Sequence, residues 1–258
     1  EKVAIRACGY LRTEVFINAP QEIKPSSSTL KVIYQILREK VAGIAEQIVT
    51  LPKEVELMSF TPKGLYLSFY GIGDRRLRDE ALHLLQETEL NTLVIDVKGD
   101  RGMIPYKSSI PLAKEIGAQK IITVKDIRGL IQSLKDEGIY TIARIVVFKD
   151  NLLANHRFDL AVKDLKGRVW HDREGLAWAD PFKEEVWEYN IQIAVEAAQQ
   201  GFDEIQFDYI RFPDALPVQF SMHNTMENRV KAISGFLTEA RKRLLPYNVF
   251  LSADIFGY

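Results

Sequence analysis

The chain has 258 residues, 47% of them hydrophobic and 27% charged, with 34 Lys and Arg against 35 Asp and Glu. That content supports one or two packed domains and excludes disordered, collagen-like and coiled-coil classes. A formal charge of -1 gives no broad basic field to hold a phosphate backbone, so no nucleic-acid partner is expected and small or neutral substrates are favoured.

Cys8 is the one cysteine. It cannot form an internal disulfide or a paired thiolate site, and a small buried residue is the favoured reading over a reactive thiol. No run reaches the roughly 18 apolar residues of a membrane span, and the start, EKVAIRACGY, has neither Met nor a signal peptide. The chain stops at Tyr258 inside a strand-like run, so further sequence is expected beyond it.

Residues 1–60 read as a separate N-terminal segment of unknown role. A β-leaning stretch from Val3 to Asn18 leads through Pro20, Pro25 and a serine run to a predicted helix beginning near Thr29, with Ser28 as its N-cap. Leu30, Ile33, Leu37, Val41, Ile44 and Ile48 make one apolar stripe on it. Pro52 and Pro62 bracket the expected boundary with a domain over 61–258.

From Gly64 the pattern alternates. Strands are predicted at 64–70, 92–98, 139–148, 204–212 and 248–258, with helices near 75–88, 126–137, 184–200 and 227–245 between them. Strand and crossover helix in this order require a parallel sheet, either open and doubly wound or closed as an eightfold barrel.

The pleat separates the two, because positions two apart share a face of a strand. One face carries Tyr66, Ser68 and Tyr70, then Asp96 and Lys98, Arg144, Gln206 and Asp208, and Ser252 and Asp254; the other is apolar throughout. An open sheet covered on both sides would be apolar on both. Polar groups gathered on one face, late in their strands, suit the mouth of a (β/α)8 TIM-type barrel. Five strands cannot close such a barrel, so about three more β/α units are expected after Tyr258.

Asp208 and Asp254 fall near the ends of consecutive strands, and neighbouring strands lie about 4.8 Å apart. Two carboxylates across one mouth are the minimum equipment for glycoside hydrolysis, one protonating the leaving oxygen while the other attacks or activates water. Taken singly, each is as well explained as a salt-bridged structural aspartate, with Arg144 or Arg211 as partner. Asp96, Lys98 and Arg144 either bind sugar hydroxyls or form a buried ion-pair network, with equal weight. Tyr70, Trp170, Trp178, Trp187 and Tyr209 offer flat faces for a pyranose, although Trp187 sits in a helical pattern and reads better as core. Trp170 and Trp178 fall in the long third βα loop, where barrel enzymes keep binding residues.

Other chemistries lack their motifs. The four histidines make no H-x-H or H-E-x-x-H spacing, so no metal is expected. YGIGDR does not complete a dinucleotide-binding glycine pattern, and neither a P-loop nor a G-x-S-x-G elbow is present.

The run WADPFKEEVWEYNIQIAVEAAQQGFDEIQFDYIRFP (178–213) resembles the putative glycoside hydrolase domain family of bacteria and archaea, which is distantly related to the α-amylase and endo-galactosaminidase groups. The likeness extends back to GLYLSFY and TLVIDVKGDRG and forward to LSADIFGY, covering roughly 61–258. It implies a catalytic barrel acting on a polysaccharide or oligosaccharide without a cofactor, and a site of action outside the cytoplasm. By the same resemblance Asp208 matches the acidic residue after the fourth strand, as nucleophile, and Asp254 that after the fifth, as acid/base; the reverse assignment stays open. Tyr70, Asp96, Lys98, Arg144, Trp178, Gln206, Tyr209 and Arg211 would then shape the sugar site. The fourth strand also looks superficially like that of family 18 chitinases, but Ile210 stands where their catalytic Glu would be. The rival readings are a carbohydrate-binding barrel without catalysis and a barrel isomerase or lyase. The sequence does not bear on oligomeric state.

Overall fold

A computed structural model describes residues 2–7, 11–16, 59–214 and 217–255. The chain divides into two compact units, Glu1–Thr61 and Pro62–Tyr258. In the first, β1 (Lys2–Ala7), β2 (Leu11–Phe16) and β3 (Ser59–Phe60) form an antiparallel sheet in that order, with Lys2 opposite Phe16 and Arg12 opposite Phe60. The helix expected from Thr29, its Ser28 cap and Cys8 lie outside the described residues.

The second unit holds β4 (Gly64–Leu67), β5 (Thr92–Lys98), β6 (Tyr140–Val146), β7 (Glu204–Asp208) and β8 (Phe250–Ala253). They form one parallel sheet in sequential order. A doubly wound sheet reverses its strand order at a switch point. No reversal occurs here, and the topology is that of successive β/α units of a (β/α)8-type barrel.

Seven helices join the strands among the described residues: α1 (Phe69–Gly73), α2 (Arg75–Glu87), α3 (Pro111–Glu115), α4 (Ile127–Asp136), α5 (Asn151–His156), α6 (Glu184–Gln200) and α7 (Met226–Leu244). Their starts follow from local chemistry. Asp74, Asp126 and Thr225 each accept a hydrogen bond from a backbone N–H in the first turn of the helix that follows, at 3.0, 2.8 and 3.2 Å. Each such cap contributes about 1 kcal/mol.

The apolar face of the sheet is buried as the alternation requires. Leu93, Ile95, Val97, Ala143, Ile145, Ile205 and Phe207 are all fully enclosed, each contributing about 1.5–3 kcal/mol for a large side chain. Phe236 of α7 packs on Phe207 and Phe148 with ring centroids 4.8 and 5.8 Å apart. That contact fixes α7 against the ends of β6 and β7, where the polar residues emerge.

β6 and β8 end earlier than expected, at Val146 and Ala253, and three further departures bear on the site. β4 stops at Leu67, because the Ser68 hydroxyl accepts from the Gly71 amide (3.2 Å) and starts α1, so Tyr70 belongs to a helix rather than to the inward face of a strand. β7 stops at Asp208, because Tyr209 takes a left-handed backbone (φ 50°) that no strand continues. β5 keeps its length, but its register with β6 slips between Asp96 and Lys98. A bulge of this kind breaks the two-residue alternation. Lys98 thus leaves the face of Asp96 and turns toward α6, where its ammonium lies 5.7 Å from the Tyr189 ring centroid.

Candidate active site

The strand ends carry a continuous polar chain across β4 to β7. The Tyr66 hydroxyl donates to Asp96 Oδ2 at 2.6 Å, and Arg144 Nη1 donates to Asp96 Oδ1 at 2.6 Å. On its other edge Arg144 donates through Nε, at 3.0 Å, and through Nη2 to Asp208 Oδ2. The register explains the reach: Asp96 is paired with Arg144, which is paired with Gln206, two residues before Asp208. Arg144 also lies under the Tyr66 ring, 5.4 Å from its centroid.

The electrostatics follow from this packing. Burial alone would lower the Arg144 pKa, but the charges and hydrogen bonds of Asp96 and then Asp208 hold it above its ordinary value. Burial, followed by the hydrogen bond to Asp96, raises the Tyr66 phenol well beyond its usual range, so it stays a donor.

Asp208 is positioned from three sides. Besides the two Arg144 donors, its Oδ1 accepts from the Tyr209 amide at 2.6 Å. That amide is aimed by the left-handed backbone at Tyr209, which for a bulky residue costs about 1–2 kcal/mol. The ring of Tyr209 is held in return by Lys149 at 5.3 Å and Arg211 at 5.5 Å, and by an edge contact with Trp178 at 5.7 Å.

Asp254 follows β8, and its Oδ1 accepts from Gln206 Nε2 at 3.1 Å. Its residue keeps contact with solvent, yet partial desolvation of the carboxyl, then the negative charge of Asp208, raise its pKa, with Arg144 opposing. A carboxyl raised in this way subtracts stability when ionised. The penalty is absent below the ordinary carboxylate range, grows as pH rises toward the raised pKa, and is constant above it. Asp254→Asn, which can keep the Gln206 bond, is therefore expected to raise Tm at pH 7 by on the order of 1 °C. The difference should vanish in thermal melts at pH 3; a lower Tm at pH 7 would show that the aspartate stabilises the fold.

The remaining candidates fall into two groups. Arg211 lies over Trp178 at 5.2 Å, as it does over Tyr209, and pairs with Asp214. Trp178 is only 2% exposed, and its indole donates to Asp172 Oδ2 at 3.0 Å, so it supports this layer rather than presenting a face. Tyr70 is 59% exposed on the rim. Trp187 packs among core residues, and its indole donates to the Pro181 carbonyl at 2.7 Å.

Lys98 lies beneath the site. It is 0% exposed and donates to Asp150 Oδ2 at 2.6 Å, so the ion-pair alternative is the one found for it. Burial lowers its pKa, with Asp150 opposing. Two contributors escaped sequence reasoning. Tyr66 sits on the polar face but carried no assigned role. Asp150, four residues past the end of β6, caps α5 through the Leu153 amide (2.9 Å) while receiving Lys98; its position just before a helical run was the available signal.

Among the described residues no group of three or more His, Cys, Asp and Glu is arranged to hold a metal ion, and no helix is long and apolar enough to cross a membrane.

A parallel β/α sheet with carboxylates and cations at its strand ends is the architecture of a glycoside hydrolase of the barrel type. The chain belongs to the putative glycosyl hydrolase domain family, whose sequence profile matches residues 64–258. It is similar to a hypothetical protein from Ruminiclostridium thermocellum ATCC 27405, with 39% identity over 74% of this chain and 97% of that one and a TM-score of 0.66. It shares its fold with alpha-L-fucosidase isoenzyme 2 from Paenibacillus thiaminolyticus at 14% identity and a TM-score of 0.53, covering 74% of this chain and 32% of that enzyme. No curated protein matches it.

Proposed function

We propose that this glycoside hydrolase cleaves a polysaccharide by a two-carboxylate mechanism, with Asp208 as nucleophile and Asp254 as acid/base. The observation that supports it is the contrast between their surroundings. Asp208 accepts three hydrogen bonds, two from the Arg144 guanidinium and one from the Tyr209 amide. Asp254 meets one neutral amide and the charge of Asp208, conditions that favour its keeping a proton.

In the first step an Asp208 oxygen bonds to the anomeric carbon as the glycosidic C–O bond breaks, and the Asp254 proton passes to the leaving oxygen. In the second step Asp254 takes a proton from water, whose oxygen attacks the same carbon and releases Asp208. Tyr66, Asp96 and Arg144 hold the nucleophile; Gln206 orients the acid; Tyr70 and Arg211 face sugar rings. Action on polysaccharide outside the cytoplasm belongs to the same proposal.

The test is release of reducing sugar from a panel of bacterial and plant polysaccharides as a function of pH. A bell-shaped profile is expected, and Asp254→Asn should abolish its basic limb, leaving a residual rate lower by about a hundredfold or more. Binding of one polysaccharide with no turnover by the wild-type chain would instead favour a carbohydrate-binding barrel.

A further inference from the structure

The loops after β4, β5 and β6 enclose a cleft of about 260 Å³ lined by Tyr70, Arg101, Met103, Lys120, Ile121 and Leu152 among others. All three loops leave the C-terminal ends of their strands, the end that carries Asp96, Arg144 and Asp208. Tyr70 and Ile121 are exposed, 59% and 49%, and present an aromatic ring and an aliphatic side chain to solvent. Arg101 and Lys120 are exposed as well and have no acidic partner among the described residues. The cations nearer the carboxylates are engaged instead: Arg144 with Asp96 and Asp208, Lys149 with Asp172 and Glu174, and Arg211 with Asp214.

The cleft is pre-formed. Thr123 Oγ1 donates to the Phe69 carbonyl at 3.1 Å, tying the Lys120–Ile121 wall to the helix that carries Tyr70. Gly73 lies so close to the same threonine that an added Cβ would sit 2.3 Å from Thr123 Cβ. On the opposite wall the Asn151 amide donates to the Asp100 carbonyl at 3.3 Å. Gly102 has φ +81°, and a Cβ there would fall 2.2 Å from Asp150 Oδ1, so the turn that carries Arg101 and Met103 presses on the buried Lys98–Asp150 pair. Walls fixed in this way save a ligand the entropy of ordering them.

We propose that this cleft is a subsite for an acidic sugar unit of the substrate, a uronate or a sulfated hexose, with its ring on Tyr70 and its anionic group between Arg101 and Lys120. The proposal rests on the glycoside hydrolase reading and adds the substrate class to it. A guanidinium fork beside an ammonium matches the geometry of a carboxylate or sulfate, and two unpaired cations next to an apolar wall select a ligand that brings both charge and a carbon ring. The turn that carries Arg101 starts beside Asp96, since a Cβ on Gly99 would lie 3.5 Å from Asp96 Oδ2, and in this proposal a chain whose acidic unit occupies the cleft runs past Arg144 toward Asp208.

Calorimetric titration tests this with three sets of oligosaccharides: uronate oligomers from alginate, polygalacturonate and glucuronoxylan; the same oligomers after carboxyl reduction; and sulfated oligomers of chondroitin and carrageenan. The proteins are the whole chain with Asp208→Asn, which prevents turnover, and the same chain carrying Arg101→Gln and Lys120→Gln in addition. At least one anionic oligomer should bind, with affinity falling as salt rises, and should lose about tenfold or more in the charge-removed variant. Binding by uronates alone or by sulfated oligomers alone identifies which anion is held.

Equal binding of acidic and reduced oligomers, no anionic oligomer bound, or no loss in the variant would each overturn the subsite. Failure here with sugar release from a neutral glycan would leave the hydrolase reading standing. Anion binding that depends on Arg101 and Lys120, with no glycan cleaved by the wild-type chain, would uphold the subsite and overturn the hydrolase reading.

Discussion

Asp208→Asn is expected to reduce kcat on any cleaved glycan by about a thousandfold or more while leaving substrate affinity within roughly threefold. The substitution removes the charge that would bond to the anomeric carbon and changes almost nothing in volume. Its amide oxygen can still accept from the Tyr209 amide, which now bonds to Oδ1 at 2.6 Å. Its amide nitrogen would then face the Arg144 Nε and Nη2 donors that Asp208 Oδ2 satisfies. Donor against donor frees one edge of the guanidinium, so a modest loss of stability, about 1 kcal/mol, should accompany the kinetic effect. The two consequences separate by measurement: single-turnover kinetics reads the chemistry, and a urea titration of the same preparation shows that the chain remains folded. Activity within tenfold of wild type would assign the nucleophile elsewhere.

Lys98→Met is expected to produce the largest loss of stability of any single substitution considered, about 3–5 kcal/mol, or roughly 10 °C in Tm. Methionine fills much of the space of the lysine stem, so cavity formation is a minor part of the cost. What dominates is Asp150, left charged in a place with no solvent: both side chains of the pair are 0% exposed at an N–O separation of 2.6 Å. The effect has an internal control. Asp150→Asn placed on top of Lys98→Met removes the stranded charge, while its side-chain oxygen can still cap the Leu153 amide. The double variant should recover more than half of the loss in chemical denaturation. If Lys98→Met alone melts within 2 °C of wild type, then the pair contributes little net stability, as can happen when desolvation cancels attraction.

These two residues also mark how far the sequence could be read. Asp208 was legible because it ends a strand whose apolar neighbours, Ile205 and Phe207, alternate with it cleanly, and the same periodicity located Arg144 and Asp96 on the mouth-facing side. Their mutual hydrogen bonds then followed from ordinary parallel register. The sequence allowed the ion-pair alternative for Lys98, but its face was misread for a physical reason. Asp96, Val97 and Lys98 keep a polar–apolar–polar order, so nothing in their identities signals the bulge that turns the lysine toward α6.

Tyr70 failed differently. GLYLSFY alternates like a strand over its whole length, and only the capping bond of Ser68 ends it at Leu67. The positive φ at Tyr209 is opposed by local preference and is held by Lys149, Trp178 and Arg211, the first two of them distant in sequence. Contacts of that kind have no periodicity to betray them. The rim cleft was invisible for the same reason, since it is assembled from loops that follow three different strands.

The bonds that join those loops bear on how the molecule can be re-engineered. Barrel enzymes invite the exchange of single loops, on the premise that each is an independent cassette. Here the loop after β4 is bolted to the next through Thr123 and Phe69, and that one to the third through Asp100 and Asn151. A graft of the middle loop alone would sever both fastenings and press a foreign turn against Asp150. The inheritable unit on this rim is the triplet, and a change of specificity by transplantation should succeed only when all three segments travel together.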